Sequence, residues 1–273
     1  MEAISLPTKI ELKPQGKGNI GILTVEPLHR GYGVTLGNSL RRVLLSSLPG
    51  AAVTSVKIKG VQHEFSTVPN VKEDVLEILL NLKMLRCKVF SDEPVKLFLK
   101  VKGEKEVTVD DIERDANVEI VNPELIIAHL TDKNAVLEME VVVEKGFGYA
   151  PTEERKKENL EIGAIAVDAV FGPIKNVAMK VEDTRVGQDI NFDKLTLEIE
   201  TDGTMSPAQA LTESAKLLID HFALFTNFVA EEAPEVSKKE KVSKVKKQAK
   251  EEETEKKEKE EAPKKKRGRA KKG

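Results

Sequence analysis

Thr35 to Leu48, TLGNSLRRVLLSSL, decides how the chain is read, because it has the periodicity of a helix with two usable faces. Leu36, Leu40, Val43 and Ser47 recur at i, i+4, i+7 and i+11, and Leu44 and Leu48 widen that stripe into a buried face. Pro49-Gly50 is the stop signal. On the opposite side Asn38, Arg42 and Leu45 stand at i, i+4 and i+7. An arginine beside an exposed leucine is a mixed anchor of the kind enriched at protein interfaces. The same spacing also describes an ordinary solvated arginine face, and periodicity alone does not choose between them.

Working outward, Ile20–Val25 reads as a strand leaving a Gly-rich turn, and Val53–Lys59 as a strand after the helix. Asn70 is expected to cap a helix running to about Leu85, with Glu73 completing a capping box. Val95–Val101 alternates as a strand. Further strands fit Val107–Val109, Val118–Val121, Leu125–His129, Val136–Glu144, Ile162–Val170, Asn176–Glu182 and Lys194–Glu200. After the turn Asp202-Gly203, Ser206 caps the longest helix, with Pro207 first and Gln209 third in a second capping box. One stripe of that helix carries Ala210, Leu211, Ser214, Leu217, Leu218, His221, Phe222 and Phe225. Strands mixed with three helices imply an α+β fold.

The 273 residues hold 44 Lys+Arg against 46 Asp+Glu, and the near-neutral total hides a segregation. From Glu231 to Gly273 there are 17 basic and 11 acidic residues, so the preceding body is acidic and the end is basic. That end carries almost no sizeable hydrophobes beyond Val236, Val242 and Val245, and residues 231–273 are expected to be a disordered Lys/Glu-rich tail. The single Cys87 excludes a disulfide framework and any CxxC site. No apolar run approaches the roughly 20 residues needed to span a bilayer, and the N-terminus lacks the layout of a secretory signal. The expectation is a soluble, cytoplasmic chain without a membrane partner.

Several motifs imitate chemistry. Gly16-Lys-Gly18-Asn-Ile-Gly21 matches GxGxxG, but Ile22–Val25 continues as a strand where a dinucleotide site needs a helix, so a hairpin turn is expected. Gly31-Tyr-Gly33-Val-Thr-Leu-Gly37 does run into a helix and has the makings of a phosphate nest, yet no GK[ST] follows and both arginines lie past the first turn. Asp189, Asn191, Asp193 and Glu200 imitate a calcium loop, but its sixth position, Lys194, must be glycine; a turn followed by a strand is expected. His29, His63, His129 and His221 are scattered, without metal-ligand spacing. No nucleophile elbow or carboxylate cluster is present, and no catalytic residue, metal ligand or cofactor is expected in this chain.

At His29–Val53, HRGYGVTLGNSLRRVLLSSLPGAAV, the residues closely resemble the signature of the bacterial RNA polymerase α subunit family. The resemblance continues through GVQHEFSTVPNVKEDVLEILLNLK (60–83), VEIVNPELIIAHLT (118–131), GFGYAP (146–151) and DKLTLEIETDGTMSP (193–207) to the closing helix, covering essentially residues 1–228. His29, Tyr32 and Val34 depart from the usual residues there, and none touches Arg41-Arg42.

The resemblance implies a nucleotidyltransferase subunit in transcription whose own chain carries no catalytic residues. It implies a dimerisation subdomain, residues 1–49 plus 173–230, with a mostly-β subdomain, residues 50–172, inserted between its halves. In the family the first and last helices form the homodimer core, which here assigns Leu36, Leu40, Val43, Leu44, Leu217, Leu218, His221, Phe222 and Phe225 to the interface. By position, Arg42 and Leu45 fall where the family meets the β subunit. His63, Glu64, Lys83, Gly146, Gly148 and Tyr149 fall in segments used against β or β′. The implied holoenzyme also contains ω and σ. A stand-alone dimeric adaptor that kept the fold without the polymerase is the alternative.

About 45 low-complexity residues stand where the family appends a helical C-terminal domain that binds promoter DNA and activators. Their last ten, Lys264–Gly273, contain seven basic residues and no acidic one. Arg267-Gly268-Arg269 resembles an AT-hook, with Ala270 in place of the usual proline. Lys266, Arg267, Arg269, Lys271 and Lys272 are the candidate DNA contacts. Sequence-blind phosphate attraction and simple solubility are the competing readings of the same residues.

Overall fold

The computed structural model describes residues 4, 6–16, 18–153, 155, 161–186 and 189–226. The chain divides into two units, Met1–Leu224 and Phe225–Gly273, and of the second only Phe225 and Thr226 are described. Lys266, Arg267, Arg269, Lys271 and Lys272, with the rest of the expected tail, therefore lie outside the described residues.

In chain order the elements are β1 (Lys9–Gln15), β2 (Ile20–His29), α1 (Tyr32–Ser46), β3 (Pro49–Ile58), α2 (Val75–Lys83), β4 (Cys87–Val89), β5 (Val95–Lys102) and β6 (Lys105–Thr108). Then follow β7 (Val118–Ile120), β8 (Ile126–Leu130), β9 (Val136–Phe147), β10 (Tyr149–Ala150), β11 (Ile165–Ala166), β12 (Ala169–Val170), β13 (Ile174–Val186), β14 (Asp189–Thr201) and α3 (Pro207–Thr226). The expected α+β class is what is found, and among the described residues no helix is long and apolar enough to cross a membrane.

Two four-stranded sheets organise these elements. The first has the order β1-β2-β14-β13, all antiparallel, so the chain's first strands pair with its last: Leu23 faces Leu197 and Val25 faces Leu195. Its core is Leu23, Val25, Leu28, Leu44, Leu48, Val177, Leu195, Leu197, Ile199 and Ala210, contributed by sheet, α1 and α3. The second sheet, β11-β3-β9-β5, packs with α2 and the ribbons β4-β7 and β6-β8 around a larger core from Val53 to Val167, while β10-β12 packs on a small separate cluster of Ala52, Ala169 and Phe171. The alternation of β5, VKLFLKVK, puts Val95, Leu97, Leu99 and Val101 into that core and the lysines with Phe98 outside.

The hairpin expected at Gly16–Gly21 is present: Gln15 pairs with Ile20, and Gly16 and Gly18 have φ of 64° and 90°. The Ser206 capping box is also present, with the Gln209 N–H donating to Ser206 Oγ at 3.3 Å and the Ser206 N–H donating to Gln209 Oε1 at 3.2 Å.

Elsewhere tertiary contacts overrode local signals. α1 begins at Tyr32, three residues before the expected start, and Pro49-Gly50 opens β3 as well as ending the helix. Asn70 does not cap α2. It sits at φ 60°, and Asp74 is the cap, accepting the Glu77 N–H at 2.7 Å. Glu73 turns inward instead, because His129 offers it a backbone N–H at 2.7 Å and a ring nitrogen at 2.5 Å. The strand read at Val107–Val109 ends at Thr108 and passes into a 3-10 turn, Val109–Asp111. Ile162–Val170 breaks into two short strands around Val167-Asp168. Asp189–Asp193, expected as a turn, already belongs to β14. β1, β4 and β10 are additions, short or edge strands whose patterns are too brief to stand out.

Candidate functional site

α1 lies on the first sheet through a face that hydrophobicity does not mark. Its fully buried positions are Gly33, Gly37 and Leu44, continued by Leu48 beyond the helix, so the seam starts with two glycines. A Cβ on Gly37 would come 2.5 Å from Met179 Sδ and 2.8 Å from Leu195 Cδ1, and one on Gly33 2.9 Å from Val181 Cγ1. The absent side chains let the helix backbone approach the strands. Turning the buried face toward the glycines leaves Leu36 40% exposed, although it begins the apolar stripe.

The N-terminus of α1 does bind an anion, and that anion is the protein's own. Asp193, 7% exposed on β14, accepts the Gly31 N–H at 2.8 Å and the Gly33 N–H at 3.0 Å through the same Oδ2. Gly31 holds φ 86° to aim its amide. The carboxylate supplies the helix cap that no neighbouring side chain provides, with the charge favoured at a helix start. This fills the nest that the Gly31–Gly37 run suggested for phosphate.

With α1 so oriented, Arg42 and Leu45 are exposed, Leu45 at 42%. The end of the helix abuts the Gly146–Tyr149 segment: a Cβ on Gly148 would lie 3.5 Å from the Ser46 carbonyl oxygen, and Gly148 itself holds φ 61°. A side chain on Gly146 would strike the Phe171 ring at 2.7 Å. The segment leads directly to Tyr149, whose ring centroid lies 5.7 Å from Lys83 Nζ at the end of α2. Asp168 ties this corner together, receiving Lys83 Nζ at 3.4 Å and the Thr152 N–H at 3.0 Å. The backbone N–H of Thr152 holds Asp168 below the usual carboxylate range, against the opposing effect of burial and with help from Lys83.

Next to it a cavity of about 510 Å³ is lined by Glu64, Leu76, Leu80, Lys83, Arg155 and Asp168, among others. Phe65 nearby in sequence is 78% exposed, and His63 is exposed and within 3.1 Å of Ser66 Oγ. Thus Arg42, Leu45, Gly146, Gly148, Tyr149, Lys83 and Glu64, spread over more than a hundred residues, follow one another from the outer side of α1 to the outer side of α2. Asp168 and Thr152 at the same corner were not singled out in the sequence. A lone acidic residue amid alternating apolar ones, IAVDAV, was the only available signal.

The positions assigned to the dimer divide by burial. Leu44 is 1% exposed, and Leu40 and Leu217 pack on the same core, so the chain's own sheet already uses them. Val43 and Leu218 are half-buried, whereas Leu36, His221, Phe222 and Phe225 are exposed. His221 Nδ1 lies 2.7 Å from the Leu217 carbonyl. From Ile219 onward the described residues of α3 are exposed on every side: Ile219 65%, Phe222 57%, Leu224 70% and Phe225 75%.

A family model described as the RNA polymerase Rpb3/RpoA insert domain matches residues 56–172. A DNA-directed RNA polymerase subunit alpha from Symbiobacterium thermophilum is 55% identical over 216 residues, covering 79% of this chain and 68% of that protein. Subunits of the same name from Moorella thermoacetica and Oceanobacillus iheyensis are 53% and 49% identical, covering 81% of this chain and 70% and 71% of theirs. The chain belongs to the DNA-directed RNA polymerase α subunit family.

Among the described residues no group of three His, Cys, Asp or Glu side chains could hold a metal ion. Cys87 is buried, and burial pushes its thiol up to about 12, so it stays protonated near neutral pH.

Proposed function

We propose that this chain acts as the α subunit of a bacterial DNA-directed RNA polymerase, forming a homodimer that serves as the platform on which the β and β′ subunits assemble. The observation that carries this reading is the exposed end of α3, where Ile219, Phe222 and Leu224 present apolar side chains to solvent. Large exposed apolar side chains gathered on one stretch of helix call for burial beyond what one sheet provides. A second copy supplies it with the same patch, as a two-fold interface requires. Residues 1–49 and 173–230 would then form the dimerisation subdomain and 50–172 the inserted one.

The face from Arg42 and Leu45 through Gly148 and Tyr149 to Lys83 and Glu64 is the proposed contact with β or β′, with ω and σ joining the assembled enzyme. Nucleotidyl transfer belongs to the large subunits, and the work is done in the bacterial cytoplasm where transcription occurs. The basic end, Lys266 to Lys272, adds a DNA contact in this scheme, a reading that rests on sequence alone.

Reconstitution with the β and β′ chains tests it. The purified chain should sediment as a dimer and recover both large subunits. Arg42→Ala should keep the dimer and weaken capture of β by roughly 30- to 1000-fold, the usual effect of truncating a central interfacial arginine. A wild-type chain that stays monomeric and captures neither large subunit refutes the proposal.

A further inference from the structure

Asp168 stands where three segments meet. Its neighbours Val167 and Ala169 are 5% and 0% exposed, so its main chain is fixed by the core while its side chain reaches the surface. One oxygen accepts the Thr152 N–H at 3.0 Å, and the other receives Lys83 Nζ at 3.4 Å. That same ammonium lies 5.7 Å from the centre of the Tyr149 ring. Burial, and then the adjoining Asp168 carboxylate, push the Tyr149 phenol above its ordinary value. Among the described residues Lys83 has no other ion-pair partner.

A lysine side chain is a flexible stem, and fixing it at an interface costs rotamer entropy. A carboxylate that holds it in place beforehand lowers that cost, which is the general route from preorganisation to affinity. Lys83 also borders the cavity of about 510 Å³ with Leu76 and Leu80, which are 44% and 56% exposed. A partner segment matching this corner has apolar side chains for the leucines and a carboxylate for the ammonium.

We propose that Asp168 is the positioning residue of this face, presetting Lys83 against the Tyr149 ring to receive an acidic and apolar segment of a large polymerase subunit. The proposal rests on the reading that this face meets such a subunit. Asp168 touches the partner only through the groups it arranges. Its effect on binding should therefore depend on Lys83 being present.

The test uses the full chain, reconstituted with the β and β′ chains. Asp168→Asn keeps an acceptor for Thr152 and should weaken capture about tenfold without changing the dimer. Lys83→Met should weaken it by at least as much. The double variant should be no weaker than Lys83→Met alone, the non-additivity expected of coupled residues.

A second readout is independent of assembly. The chain has no tryptophan and only two tyrosines, so ultraviolet titration in a Tyr32→Phe background reports Tyr149 alone. Asp168→Asn should move that midpoint down. If Asp168→Asn does not fold, Tyr149→Phe replaces it in the binding cycle, and its loss should likewise vanish beside Lys83→Met. Additive losses, or an unmoved tyrosine midpoint in folded Asp168→Asn, overturn the proposal and leave the contact face standing. Wild-type capture by Lys83→Met overturns both.

Discussion

The two sheets of this protein solve the same burial problem to different degrees. Among the described residues, the core built on β11-β3-β9-β5 contains twenty-nine buried side chains, and that on β1-β2-β14-β13 contains ten. The first region packs α2 and the ribbons β4-β7 and β6-β8 about its sheet, and Val75, Ile78, Leu79 and Leu82 of α2 are buried. The second spends its longest helix differently: Pro207, Ala210 and Ser214 are buried, while Ile219, Phe222 and Leu224 are 57–70% exposed. The first region fills a large core and still leaves Phe65, Leu76 and Leu80 exposed, scattered over its surface. The other concentrates its exposed apolar side chains at the end of one helix, the surface on which the proposed dimer rests.

The largest expected effect separates the regions directly. Phe222→Asp should convert the proposed dimer to monomer in sedimentation, because a carboxylate forced into an apolar interface costs several kcal/mol. Phe98→Asp places the same charge on an aromatic that is 48% exposed on β5 and should leave association unchanged. Equal behaviour of the two variants would erase the distinction.

Next, Ile78→Ala, which empties a fully buried position of α2, should cost about 2–5 kcal/mol as a core cavity. Comparing thermal unfolding at low and high protein concentration shows whether stability is tied to association. The wild-type transition should rise with concentration where α1 and α3 melt. The Ile78→Ala loss, local to the larger core, should be the same at both concentrations.

A smaller effect is expected for Asp193→Ala, which strips the two amides at the start of α1 of their shared acceptor. The loss should be about 2–3 kcal/mol, in the range for hydrogen bonds to a charged group. Hydrogen exchange should locate it at the first turn of α1. Unchanged protection there would show that helix packing over Gly33 and Gly37 suffices without the carboxylate.

The smallest concerns the outer face of the second sheet, where Lys100 and Lys59 each reach Glu138 at 2.6 Å. Hydrogen bonds from these lysines hold Glu138 at about 2, below its ordinary 4.5. Since the folded value is depressed, the stabilisation is fully present above pH 4.5 and is lost as pH falls through about 2. Glu138→Gln should flatten a small part of the decline in melting temperature over that window, and added salt should shrink the difference. Parallel curves for both proteins would mean the exposed network adds nothing.

What was legible followed from local chemistry. Ser206, Pro207 and Gln209 read correctly as a helix start because a capping box involves residues three apart. Gln15 to Ile20 read correctly as a hairpin because the turn and both strands are adjacent. Glu73 carried the same local signal as Gln209 and failed, since His129, 56 residues away, competed for its carboxylate and won. The Arg42 face was legible as a pattern, but the buried side of α1 was misplaced toward Leu36. Glycines carry no hydrophobic signal, so Gly33 and Gly37 could not announce that a helix would rest on them. Asp168 offered only a lone acid amid the apolar residues of IAVDAV.

By itself, then, the sequence determined the periodic elements, their order, the α+β class and the excess of apolar surface on the last helix. These properties belong to residues a few positions apart and persist whatever the chain does next. Tertiary structure alone decided that Asp193 would cap a helix 160 residues earlier and that Lys83, Tyr149 and Asp168 would share one corner. Those partnerships depend on which strands pair and how closely a helix approaches them. A carboxylate is drawn to whichever donors the fold brings within about 3 Å, however distant in sequence.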